Sequence, residues 1–209
     1  NEMGTVYSIQ EIKELAEFAH QNKMYLHVDG ARIANAAVAL GCSLAEMITQ
    51  TGVDVLSFGG TKNGLMFGEA VVFFDKKLAA GFEYSRKQGM QLASKMRFII
   101  VQFLAYLEQE LWKKNAGNAN QMAQLLGSKL AAIDGISLSR PVEANGVFAI
   151  LPAEIIPKLQ EAYFFHVWNE SRCEVRLMCS FDTSLKDVEG LVAKAKNLML
   201  NDHNKPSTP

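Results

Sequence analysis

Two stretches decide the reading of this chain: His27-Val28-Asp29-Gly30-Ala31-Arg32 and Ser57-Phe58-Gly59-Gly60-Thr61-Lys62-Asn63-Gly64. Each closes a short apolar or β-prone run, Met24–Val28 in one case and Val53–Phe58 in the other, bounded by turn formers. Short apolar runs of this kind read as buried strands rather than helices. A helix-like pattern separates them, which predicts two parallel strands joined by a right-handed crossover. In open α/β sheets, ligands bind beyond the carboxyl ends of the strands. A carboxylate, Asp29, stands at one such end, and an amine, Lys62, follows the other. Their separation of 33 residues leaves room for one crossover and one strand, so the two can face a common crevice.

An amine and a carboxylate so placed suit a pyridine-aldehyde cofactor, pyridoxal 5'-phosphate. The amine attacks an aldehyde as a neutral nucleophile. The carboxylate favours the protonated form of a ring nitrogen, and the protonated ring accepts electrons from a bond breaking at a substrate's α carbon. The glycines around Lys62 permit sharp turns and close backbone approach, and Thr61 offers a hydroxyl to a phosphate. Taken singly, Asp29 reads as a turn or cap residue and Lys62 as a solvated loop cation. The pairing at two strand ends, with Arg32 beside one of them, is what gives them weight.

The segments His27–Arg32, Ser57–Gly64 and Gly68-Glu69-Ala70-Val71-Val72-Phe73-Phe74 together resemble the low-specificity threonine aldolase and phenylserine aldolase group. These are fold type I pyridoxal phosphate enzymes, relatives of the β-eliminating lyases. The opening Glu2-Met3-Gly4-Thr5-Val6-Tyr7-Ser8 and the later Val175-Arg176-Leu177 are similar to segments of the same group, so the likeness runs from Asn1 to about Leu200. It implies Lys62 as the Schiff-base lysine and Asp29 as the partner of the pyridinium nitrogen. It places Arg32 near the phenolic oxygen and the substrate carboxylate, Thr61 at the phosphate, and Arg176 on the substrate carboxylate, a task suited to a planar bidentate fork. Arg176 reads equally as a strand-end surface cation. His27 shares a strand face with Asp29 and reads either as a partner that supports Asp29 at the cofactor site or as a satisfied core histidine. The activity implied is cleavage of a β-hydroxy-α-amino acid, threonine-like or a 3-arylserine, to glycine and an aldehyde. The base for the β-hydroxyl is not legible. A homodimer or homotetramer is implied as well.

Members of that group carry a long stretch before the segment that opens this chain, with further strands and a glycine-containing phosphate loop. The expectation is therefore the C-terminal portion of a longer enzyme, one that does not hold the cofactor tightly by itself. The fold class expected is α/β: part of a fold type I large domain over residues 1–112, a small α+β domain over 113–200 and a polar tail over 201–209. Two rival readings stand beside the aldolase. One keeps the cofactor and changes the reaction to β-elimination or transamination; the other is a catalytically incomplete fragment.

The remaining sequence supports an ordinary globular chain. Its 209 residues hold 21 basic and 22 acidic side chains, and this balance gives no sign of a nucleic-acid partner. The apolar run Phe98–Leu107 is too short to span a bilayer. Cys42, Cys173 and Cys179 match no zinc spacing, so no metal is expected, and a reducing cytoplasm fits. Ser8 and Glu11 form a capping box before a helix over 9–21. Further helices are expected over 32–40, after Ser43, over 90–112, over 115–133, over 152–162 and over 185–200. Strands are expected over 24–28, 53–58 and 70–74, then over 136–139, 147–151 and 174–179.

Overall fold

The computed structural model describes residues 3–203. Its contacts divide the chain into two compact units: Tyr7–Gly117, and the chain from Asn118 onward together with the opening residues through Val6.

The first unit begins with helix α1 (Ile9–Gln21). Ser8 caps it, its hydroxyl accepting from the Glu11 N–H while the Glu11 carboxylate accepts from the Ser8 N–H. This reciprocal arrangement satisfies two donors that a helix start leaves without partners, and Ile12, Ala16 and Ala19 form the buried stripe. Strand β1 (His27–Gly30) follows, then α2 (Ile33–Leu40), stopped by Gly41 at φ 65°, and α3 (Leu44–Met47), which carries a second capping box, Ser43 with Glu46. Strand β2 (Val55–Gly59) and strand β3 (Glu69–Phe73) complete a three-stranded sheet. β1 and β2 are parallel, with Asp29 opposite Ser57, while β2 and β3 are antiparallel. The first strand starts three residues later and ends two residues later than expected over 24–28, as Met24 and Tyr25 remain exposed after the turn at Lys23.

Alternation sorts the two faces of this sheet. Leu56 and Phe58 are buried, with Ile33, Ile48 and Val53 also in the core. His27, Asp29 and Ser57 share the opposite face, and a 2.9 Å hydrogen bond joins the His27 Nε2 to the Ser57 hydroxyl.

Beyond β3 lie α4 (Phe82–Gln88) and α5 (Arg97–Leu107), then α6 (Leu111–Ala131). A single helix over 90–112 is not formed. The chain breaks at Glu108–Glu110, where Gln109 and Glu110 take left-handed φ values of 52° and 54°. The break has a packing reason: it allows Tyr106 before it and Trp112 after it both to be buried.

The second unit is a four-stranded antiparallel sheet in the order β4-β5-β7-β6, made of β4 (Ser137–Leu138), β5 (Gly146–Ile150), β6 (His166–Asn169) and β7 (Glu174–Met178). α7 (Ile156–Gln160) separates β5 from β6, and α8 (Leu185–His203) ends the described chain. Strand β6 was not expected from the sequence: its His-Val-Trp-Asn run is short and its register slips between Val167 and Asn169. The expected tail lies, beyond His203, outside the described residues. The core joins Val147, Ala149, Val175 and Leu177 of the sheet to Leu126 and Leu130 of α6 and to Val188 and Ala195 of α8. Among the described residues no single helix is long and apolar enough to cross a membrane.

At the edge of this core Arg140 donates to the Glu174 carboxylate at 2.7 Å and to the Met3 carbonyl at 3.1 Å. Burial alone would raise the Glu174 carboxyl. Hydrogen bonds from Ser139 and Arg140, with the charges of Arg140 and Arg172, outweigh it and hold the group below its ordinary value of 4.5. A folded-state value below the unfolded one stabilises the fold above the unfolded value, and that stability is lost as the pH falls through the folded value. Glu174→Gln is expected to cost about 2–3 kcal/mol near neutral pH, because it leaves a partly exposed arginine without its counter-charge. Urea titrations of parent and variant should converge as the pH is lowered below 4.5.

In the first unit, a Cβ at Gly59 would stand 2.6 Å from the Ala31 Cα and 2.7 Å from its carbonyl oxygen. Neither is a flexible side-chain end that can move aside. Gly59→Ala is therefore expected to lower stability by about 2 kcal/mol or more, measured as a drop in the urea midpoint with an unchanged slope.

Candidate functional site

The loops after β1 and β2 are held against each other by backbone. Gly59 ends β2, and the absence of its side chain admits the main chain of Ala31, which sits between Asp29 and Arg32. Gly30 serves the same closeness from the other strand: a Cβ there would lie 2.7 Å from the Ser57 carbonyl oxygen. The end of β1, which carries the carboxylate, and the end of β2, which leads to the turn carrying the amine, are thereby neighbours.

Asp29 is exposed at the carboxyl end of β1. Its Oδ1 accepts from the Ala31 N–H at 3.1 Å, a turn-closing bond of the kind aspartates make two residues along. Two carboxylate oxygens retain further acceptor capacity beyond that bond. Arg32, half-buried, starts α2. His27 is exposed on the Asp29 face and bonded to Ser57, so it is not a core histidine.

Lys62 lies exposed on a single 3-10 turn, Thr61–Asn63, between Gly60 and Gly64, the latter at φ 109°. Thr61 is engaged with its own loop. Its hydroxyl donates to the Gly68 carbonyl and accepts from the Gly68 N–H, both at 3.3 Å, and its N–H donates to Glu69 at 3.2 Å. Asn63, to which the motif assigns no role, is buried and bonded to Tyr106, Trp112 and Asn115. Ser57 is a second such residue, and strand alternation alone puts it on the face of Asp29.

Arg176 belongs to the second unit. It sits mid-strand on β7, opposite Phe148 on one side and His166 on the other. Its guanidinium carbon lies 5.1 Å from the centre of the Trp168 ring and 6.0 Å from that of Phe148. Its Nε is buried without a hydrogen-bond partner, and stacking on aromatic faces leaves the planar fork oriented. It is therefore not a strand-end surface cation.

The donor set of the first unit fits an anionic pyridine-aldehyde. A carboxylate stands at the end of β1 and an amine on the turn after β2, a guanidinium follows the carboxylate by three residues, and glycines bring the main chain close on both strands. Among the described residues no group of three or more metal-ligating side chains forms. A cavity of about 170 Å³ in the second unit, lined by Leu126, Tyr163, Met178, Cys179 and Asp187 among others, holds none of these candidates. Burial pushes the Cys179 thiol up to about 12, and Asp187 is tied to Ser184 at the start of α8, so neither is poised for chemistry there.

Comparison with known proteins finds relatives along most of the chain. The chain is 42% identical over 198 residues to a low specificity L-threonine aldolase of Pseudomonas aeruginosa, and 43% identical over 199 residues to one from a Pseudomonas species. Each match covers 95% of this chain and 57% of the relative, so the chain spans somewhat over half the length of these proteins. A solved threonine aldolase of Leishmania major superposes with a TM-score of 0.83 at 28% identity, over 92% of this chain and 57% of that one. The model of the beta-eliminating lyase family matches residues 1–154. With most of its length accounted for in this way, the chain belongs to the beta-eliminating lyase family.

Proposed function

We propose that this chain carries the cofactor-holding elements of a pyridoxal-phosphate-dependent aldolase that cleaves β-hydroxy-α-amino acids to glycine and an aldehyde. The observation that carries the reading is the backbone contact of Ala31 on Gly59, which joins the end of the Asp29 strand to the end of the strand that leads to Lys62. The likeness to proteins named threonine aldolases supports the choice of reaction.

In this reading Lys62 would hold the cofactor through its amine, and that amine would also be the group placed to move a proton. Asp29 keeps a proton on the ring nitrogen by its negative charge. His27, bonded to Ser57, closes the strand face beside Asp29. Arg32 and Thr61 are the candidates for the phenolic oxygen and the phosphate; to reach the phosphate, the Thr61 hydroxyl would give up its bonds to Gly68. Arg176 has the proposed role of binding a carboxylate by its fork. When bound, the cofactor supplies the electron sink for the pair released as the Cα–Cβ bond breaks. An assembly of identical subunits and a small amino-acid substrate belong to the same proposal.

Threonine incubated with the protein and pyridoxal phosphate should yield acetaldehyde and glycine in equal amounts. A keto acid or ammonia in their place would show transamination or elimination instead. In the full-length enzyme, Lys62→Ala should remove the absorbance band of the covalently held cofactor and lower turnover on the order of 10³-fold or more. Asp29→Asn should keep the band and lower turnover about 10²-fold. A band that survives Lys62→Ala unchanged would overturn the assignment.

A further inference from the structure

We infer that Asn63 is a positioning residue for Lys62. The inference rests on the reading of Lys62 as the covalent attachment point and deepens it. The difficulty it answers is physical. Lys62 is exposed, on one 3-10 turn with glycine at either end, and glycine-bracketed backbone has more conformational freedom than any other. A reacting amine needs the opposite, because small misplacements of a reacting group cost rate steeply.

Asn63 supplies the constraint. It is 2% exposed. Its Nδ2 donates to the Tyr106 hydroxyl at 2.6 Å and to the Trp112 carbonyl at 2.9 Å. Its backbone carbonyl accepts from the Asn115 Nδ2 at 2.9 Å, and its N–H donates to the Gly60 carbonyl at 3.0 Å. The residue after the lysine is thus tied by side chain and main chain to α5 and α6. Tyr106 is 1% exposed, and burial pushes its hydroxyl up to about 12, so it stays neutral as a partner for the amide.

One further observation speaks for a positioning role over simple packing. The Asn63 Oδ1 is buried with no hydrogen-bond partner, a cost that an apolar side chain of similar size would avoid. Burial of Tyr106 and Trp112 is reason enough for the helix break between them, but stability alone does not favour a partnerless amide oxygen at the residue that anchors this turn.

The test compares lysines within one protein. The full-length enzyme that carries this chain is exposed briefly to pyridoxal phosphate, borohydride then reduces the imine that a lysine amine forms with the aldehyde (water leaving) to a stable secondary amine, and peptide mass mapping reads the extent at each site. Lys76 and Lys77, exposed in the same unit, are the internal references. Lys62 should be labelled preferentially in the parent. Asn63→Ala should reduce that preference on the order of tenfold with the reference lysines unchanged. Asn115→Ala and Tyr106→Phe, which each remove one anchor and keep the Asn63 side chain, should each reduce it by a smaller factor, and they carry the test if Asn63→Ala does not give a cooperative unfolding transition. Preference that persists undiminished in the folded variants overturns the positioning role and leaves the Lys62 assignment standing. No preference in the parent overturns the Lys62 assignment itself, and the inference with it.

Discussion

The contact of the Ala31 main chain with the α carbon of Gly59 is the constraint on which the candidate site depends. Parallel pairing aligns β1 with β2 and places Asp29 opposite Ser57, but pairing ends where the strands end. Past that point the two loops are free to splay unless something holds them. Here no side chain intervenes, so one loop rests directly on the other. A glycine at such a position is retained for what it leaves out, in keeping with its use wherever backbone must approach closely.

The second unit solves a different problem by different means. Its sheet buries a carboxylate, Glu174, and satisfies it with Arg140, while Arg140 also lies over the Phe148 ring at 4.3 Å from its centre. Phe148 in turn packs edge-on against Trp168 at 5.6 Å, and Arg176 lies by both rings. Cations, aromatic faces and one buried carboxylate thus form a single cluster on this sheet. Such a cluster restricts guanidinium orientation at a modest gain in stability. Orientation is what a bidentate carboxylate binder needs.

Much of this was legible in the residues. The capping boxes at Ser8 and Ser43, the glycine stop at Gly41 and the parallel pairing of the two motif-bearing strands follow from local chemistry and period. Helix α1 and the start of α8 fall where expected because their signals lie within a few residues of one another. The places that differed share a cause. The pattern over 90–112 is apolar at helical spacing, yet the chain breaks at 108–110 to bury Tyr106 and Trp112, and that gain is invisible to a local window. Strand β6 escaped notice because only its pairing with β7 makes its four residues a strand.

The same division holds for the site. That an amine and a carboxylate follow two strands, with glycines about them and an arginine close by, is written in the order of residues, because strand ends and turn formers are local properties. That the two loops abut at Gly59, that His27 is bonded to Ser57 and that Asn63 is anchored by residues 43, 49 and 52 positions away was decided by the tertiary structure. Each of those contacts joins segments distant along the chain, and a hydrogen bond between distant residues leaves no period or spacing in the sequence from which it can be read.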